Sequence, residues 1–265
     1  MSDIETEERP EAAAERPEAA AERPETAVPP ATRREPVFNV PSIVLALLGA
    51  LVAVHAVVYE LLDFDAQLDA LTRFAFVPAF YHVDAARLLE PLALFWSPVT
   101  HGFLHGSWTH LGVNAVWLVA FGTPVAKRFG TARFALFTLL GFAAGAAAHY
   151  VAYPYDQSPL VGASGGVSAF FGAATRFALL PGRMGSDRAL RLPALTLRET
   201  LTTRSTMVFI VVWLAINWVA GSGIVPLDGE AQIAWEAHVG GFLFGLLLFP
   251  LFDRPRAVRS RHVRG

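Results

Sequence analysis

The chain has 265 residues, 54% of them hydrophobic and 17% charged, whereas an ordinary soluble domain is roughly a quarter charged. That composition excludes an ordinary soluble domain, and the lack of any cysteine excludes disulfides, thiolate catalysis and cysteine-ligated metal. The formal net charge of −2 hides an asymmetry, because much of the acid sits near the N-terminus.

Residues 1–35 are a separate material. Glu8-Arg9-Pro10-Glu11-Ala12-Ala13-Ala14 is nearly repeated from Glu15 and begins again at Glu22. No apolar seam accompanies the repeat and a proline recurs in each copy, so a disordered cytoplasmic tail is expected rather than a coiled coil. It lacks the basic start and apolar core of a signal peptide. Docking of a peptide partner is the alternative for this tail.

Apolar blocks then recur at about 41–62, 107–126, 132–153, 163–180, 206–221 and 233–251, each near the roughly 20 residues that cross a hydrocarbon core. They predict six membrane-spanning helices in a domain over 36–252, followed by a basic cytoplasmic tail over 253–265. The stretch between the first two blocks, about 63–106, is long and apolar. Phe74-Ala75-Phe76-Val77-Pro78 and Leu92-Ala93-Leu94-Phe95-Trp96 are too short to span, so re-entrant or interfacial pieces in the outer leaflet are expected. Trp96 fits an aromatic belt.

Basic residues alternate from loop to loop. Arg33 and Arg34 precede the first span, Lys127, Arg128 and Arg133 join the second to the third, six arginines run from Arg176 to Arg204, and five follow from Arg254 to Arg264. The other connections carry only Arg73 and Arg87. Positive-inside bias places both termini in the cytoplasm. His110, Asn114, Ser164 and His238 then fall at the outer starts of the second, fourth and sixth spans, a shared depth that four unrelated polar residues need not have.

Polar groups in spanning helices are costly and face the protein interior or an aqueous cavity. Ser164, within Gly162-Ala163-Ser164-Gly165, is alternatively a plain helix N-cap. The flanking Gly162 and Gly165 instead permit a tight turn that leaves the hydroxyl unobstructed. Helix-start N–H groups there face any developing negative charge. His238, within Ala237-His238-Val239-Gly240-Gly241, is alternatively a core histidine. Gly241 and Gly245 beside it form a small-xxx-small strip that allows close helix approach. Serine as nucleophile with histidine as base follows, as a dyad, because no aspartate completes a triad and Glu236 points to another face. His110 and Asn114, spaced i,i+4, share a helix face and can donate to an oxyanion. His101 and His105 are expected to shape the mouth of the site. Zinc on the three histidines is the alternative, but no His-Glu-x-x-His pattern appears, so neither a metal nor another cofactor is expected.

These residues resemble the rhomboid-family intramembrane serine proteases, through His101, His105, His110 and Asn114 at their relative spacings, the Gly162-Ala163-Ser164-Gly165 nucleophile, and Ala237-His238 followed by Gly241 and Gly245. The resemblance covers about residues 41–252 and implies an all-α polytopic membrane protein, a six-helix rhomboid-like bundle with a long first outer loop. It implies Ser164 as nucleophile and His238 as base, with His110, Asn114 and the Ser164 main-chain N–H at the oxyanion. Three positions depart from the family pattern. Ser97 follows Trp96 where arginine is common, Ala126 stands where a glutamate often follows the second helix, and Ser168 stands where some relatives pack a tyrosine on the histidine. The expected function is an endopeptidase cleaving transmembrane-protein substrates near the outer boundary of a prokaryotic plasma membrane. Membrane lipids are expected as surroundings and nucleic acid is not expected as a partner. A catalytically inactive binder of transmembrane helices is the main alternative, and a transporter a weaker one, since no inverted repeat is evident.

Overall fold

A computed structural model describes residues 39–82, 84, 90–182, 190, 192–222 and 233–253. The chain divides into Met1–Asn39 and a unit Val40–Gly265, and the second is described below. The repeat tail at 1–35, the C-terminal arginines and most of the 183–191 and 223–232 connections lie outside the described residues.

Among those residues the fold is all-helical, with one isolated bridge between Phe76 and Leu160. Helix α1 (Ser42–Ala56) begins after Pro41, whose fixed φ suits a helix start, and continues through a π-helical turn at Val57–Leu61. Asp63 restarts the chain, its carboxylate accepting from Ala66 N at 2.9 Å, to give α2 (Phe64–Phe74). A 3-10 turn at Pro78–His82 precedes α3 (Ala93–Thr100) and a second 3-10 turn at His101–Phe103.

Ser107 caps α4 (Trp108–Trp117) by accepting from His110 N, and a π turn at Leu118–Gly122 joins it to α5 (Thr123–Phe129). Gly130, at φ +79°, takes the left-handed corner into α6 (Thr131–Ala152), a geometry that suits a residue without Cβ. Helix α7 (Ser164–Thr175), α8 (Leu197–Thr202), α9 (Arg204–Gly221) and α10 (Trp235–Phe252) complete the order. The segments Ser42–Leu61, α6, α9 and α10 are each long and apolar enough to cross a membrane. The protein is an all-α polytopic membrane protein.

Helix α7 is the axis of the fold. Every residue from Gly165 to Thr175 is buried, with α6 and α10 packed along it. Small residues make that approach possible. A Cβ on Gly241 would overlap the Gly165 carbonyl oxygen, and one on Gly245 would overlap that of Ala169. A Cβ on Gly145 of α6 would sit 3.1 Å from Ala237 O and 3.2 Å from Gly165 Cα. Lipid tails are as apolar as leucine, so helices in a bilayer associate through such close packing rather than by expelling water. An aromatic layer of Phe134, Phe137, Phe170 and Phe249 fills the rest.

Two expected spans differ in detail. The helix expected over 163–180 stops at Thr175 and the chain turns through 176–182. A helix wrapped by protein has no lipid thickness to match. The one expected over 107–126 runs on to Phe129 and is interrupted by the π turn.

Arg128 and Arg176, counted among the loop cations, are structural instead. Arg128 forms a bidentate pair with Asp253 at 2.8 and 2.7 Å and lies 4.6 Å from the Phe177 ring centroid. Arg176 donates to Leu195 O and Leu246 O. These contacts tie the ends of α5, α7 and α10 together, while Ala126 is buried in the core.

The 63–106 connection is anchored although Ser97 follows Trp96. Trp96 Nε1 donates to Arg73 O at 2.8 Å, Thr100 Oγ1 to Phe74 O at 2.8 Å, and Tyr81 OH to Leu94 O at 2.7 Å. Arg73 also pairs with Asp69 and Glu90.

Candidate active site

The Ser164 hydroxyl stands at the first residue of α7. The cap position belongs to Ala163, and no side-chain hydrogen bond caps this terminus. The plain N-cap alternative for Ser164 is therefore excluded. Gly162, at φ +124°, supplies the turn before it. A Cβ there would lie 2.7 and 2.8 Å from His110 Cε1 and Nε2 and 3.8 Å from Ser164 Oγ. Gly162 thus serves both backbone and space: it lets the His110 imidazole and the Ser164 hydroxyl approach one point.

The segment carrying Ser164 hangs from the two upstream histidines. Gly162 N donates to His101 O at 3.0 Å, and Ala163 N donates to His105 Nε2 at 3.4 Å. His101 is itself held by Ser97 O, 3.0 Å from its Nδ1. The His105 and His110 rings meet edge-on at 5.1 Å. His55 of α1, which sequence reasoning missed, backs this group: its Nδ1 lies 3.2 Å from His105 O and its ring packs 4.5 Å from that of Trp108. Among the described residues no group of three histidines or carboxylates has a metal-binding arrangement. Asn114 is buried one turn along α4 from His110, and one of its amide N–H groups goes to His110 O at 3.2 Å.

His238 lies in the first turn of α10, three residues before the Gly241–Gly165 crossing. No hydrogen bond joins it to Ser164 among the described residues; its Nδ1 is instead 2.5 Å from Asn217 Oδ1 of α9. Asn217 is the polar neighbour that the sequence alone did not supply. Its signal was present, as the lone carboxamide inside an apolar spanning helix. Glu236 does face elsewhere, buried against His149 Nδ1 at 2.5 Å, with Asp156 on the other ring nitrogen at 3.5 Å. Ser168 is buried one turn along α7 from Ser164.

An imidazole held at Nδ1 presents Nε2 to its surroundings. A hydroxyl uncommitted to capping, at a helix start whose preceding residues Gly162 and Ala163 meet His110 and His105, is a setting suited to nucleophilic attack on a carbonyl.

The sequence profile of the Rhomboid domain matches residues 93–254. The rhomboid protease GlpG of Serratia proteamaculans is 33% identical over 176 residues, 66% of this chain and 52% of that protein. GlpG of Yersinia pestis (strain Pestoides F) is 30% identical over 154 residues, 58% of this chain and 46% of that one. The chain thus spans about half the length of these relatives.

Proposed function

The chain belongs to the rhomboid family, and from that premise we propose that it is an intramembrane serine endopeptidase working through Ser164 and His238. The observation that carries the reading is an uncapped serine at a glycine-flanked helix start, with the His110 ring packed over the preceding Gly162.

Ser164 Oγ attacks a substrate peptide carbonyl while its proton passes to His238 Nε2. The new oxyanion takes hydrogen bonds from the Ser164 main-chain N–H, His110 and Asn114, which matter most as charge develops. Collapse breaks the C–N bond, and the amine leaves with the proton held on His238. Water then attacks the acyl-enzyme, His238 again accepting the proton, and Ser164 is restored. The Ser164–His238 gap is compatible with this sequence, since catalytic hydrogen bonds are often long in the unliganded state.

Six spanning helices arrange the site: Ser42–Leu61, the α4–α5 run, α6, α7, α9 and α10. Residues 1–35 form a cytoplasmic tail, 36–252 the protease domain, and 253–265 a basic cytoplasmic tail. The basic connections then face the cytoplasm of a prokaryotic cell and Ser164 opens to the outer face. Substrates are transmembrane proteins whose helices unwind near that face, because intact helical carbonyls are hydrogen-bonded and shielded.

Purified protein in liposomes is expected to cut a single-pass substrate once near its outer boundary, and Ser164→Ala to abolish the cut. Cleavage confined to soluble peptides would contradict the substrate class. On this cysteine-free background, Ser158→Cys should react with an impermeant maleimide in intact cells and Arg198→Cys only after permeabilisation; the reverse pattern contradicts the orientation. A non-catalytic helix binder shares the open Ser164–His238 gap, and it predicts no cut and no covalent labelling of Ser164.

A further inference from the structure

We propose that Asn217 is the positioning residue for the His238 base, holding the imidazole in the tautomer that can accept the Ser164 proton. This rests on the reading of Ser164 and His238 as nucleophile and base.

Helix α9 is polar only where it begins, at Arg204, Ser205 and Thr206; beyond that, Asn217 is its single carboxamide in an otherwise apolar and aromatic run. An amide in such a helix is costly unless both of its ends are bonded. Both are. Asn217 Nδ2 donates to Trp213 O, one turn back in its own helix, at 2.8 Å, and Oδ1 faces His238 Nδ1. The first bond decides which end of the amide reaches the histidine. Rotating the amide would set its oxygen against the Trp213 carbonyl oxygen, acceptor against acceptor, which is unfavourable. With oxygen facing Nδ1, that nitrogen must carry the proton, and Nε2 keeps the lone pair that a general base needs.

The position of the amide is fixed by packing one turn away. The Trp213 ring stacks on Phe171 of α7 at 5.2 Å and on Phe242 of α10 at 5.1 Å, and those two rings lie 5.8 Å apart. One aromatic group therefore sets the register of α9 against both helices that carry the proposed chemistry. Among the described residues no carboxylate is hydrogen-bonded to His238, and the neighbouring Glu236 is engaged with His149. The amide oxygen also faces the ring as positive charge develops on it, so the same contact orients the base and stabilises its protonated form.

The test compares wild type, Asn217→Leu and Asn217→Asp, each in liposomes and each checked for folding by thermal denaturation. Asn217→Leu should lower kcat roughly 10–100-fold, by analogy with loss of the outer hydrogen-bond partner of a metal-bound histidine, with KM little changed. Asn217→Asp keeps an acceptor oxygen toward His238 but loses the donor to Trp213 O, so it should recover only part of the kcat lost in Asn217→Leu. Nitrogen-15 NMR, with the His238 signals identified by their loss in His238→Gln, should show the Nδ1–H tautomer in wild type and a mixture in Asn217→Leu. The proposal is overturned by an Nε2–H tautomer in wild type, by unchanged kcat in folded Asn217→Leu, or by an unchanged Nδ1–H tautomer in Asn217→Leu. Should wild type neither cleave nor label, the protease reading fails, while the tautomer measurement still decides the role of Asn217 in orienting the ring.

Discussion

The two ends of the bundle are built from the same helices and use polar chemistry in opposite ways. At one end Arg128, Arg133 and Arg176 are committed to partners: Arg128 to Asp253 and Leu192 O, Arg133 to Phe252 O, Arg176 to Leu195 O and Leu246 O. At the other, α7 opens on a serine that caps nothing and α10 on a histidine bonded through one nitrogen. Helices α7 and α10 thus carry arginine contacts near one terminus and the proposed nucleophile and base near the other, where Glu236 beside His238 is paired with His149. Separating the two lets the reactive end leave groups uncommitted while glycine packing and arginine pairing hold the helices, a division expected where function departs from full satisfaction.

Mutations at the two ends should therefore fail in different ways. The largest effect on stability is expected at the fastened end. Arg128→Leu leaves Asp253 without the partner that it meets at 2.7 Å, with the two side chains 7% and 15% exposed. Breaking a pair of that burial costs about 3–5 kcal/mol, read as a lower unfolding midpoint in a denaturant titration. The molecules that remain folded should keep their kcat. A variant as stable as wild type but catalytically slow would dissolve the contrast between the ends.

Asn114→Ala probes the reactive end. It should leave the unfolding midpoint nearly unchanged and lower kcat more than it changes KM. Removal of an oxyanion donor costs about 2.7–4 kcal/mol of transition-state stabilisation, and overlap with His110 makes the observed loss smaller. Unchanged turnover in both Asn114→Ala and His110→Ala would remove these residues from the oxyanion site.

The smallest effect belongs to the exposed capping box of α8. There Glu199 Oε2 accepts from Thr196 N at 2.7 Å, and that bond, with one from the Thr196 hydroxyl, holds the carboxyl below its ordinary value. A depressed carboxylate contributes its stability above its unfolded-state pKa, near 4.5, and loses it as pH falls through the lower folded value. The small stability difference between wild type and Glu199→Gln should therefore be present at neutral pH and vanish in acid. A difference that grows on acidification contradicts the assignment.

Much of this division is legible in the sequence, for stated reasons. Ser164 and His238 stand out because polar side chains at the starts of apolar blocks have few bland explanations, and the flanking glycines announce close backbone approach. Asn217 was equally visible as an isolated amide, but its partner depends on how α9 is rotated, which apolar periodicity leaves undefined when the helix is apolar on all sides. The roles of Arg128 and Arg176 were hidden for another reason: counting cations distinguishes the two sides of a membrane without distinguishing a solvated guanidinium from a buried one. The π turns at Val57–Leu61 and Leu118–Gly122 shift the hydrogen-bond register while leaving the composition unchanged. The early end of α7 was masked because the apolar run continues through Phe177-Ala178-Leu179-Leu180 after the helix has stopped.

The central claim is that Ser164 is a nucleophile activated by His238. Its most direct test is reaction of the purified, folded protein with a serine-directed fluorophosphonate, followed by mass-spectrometric mapping of the adduct. The account predicts one adduct, on Ser164, absent in Ser164→Ala, strongly reduced in His238→Ala and unaffected by a metal chelator. Substrate cleavage that persists in Ser164→Ala, or an adduct on another residue with Ser164 unmodified, would contradict it.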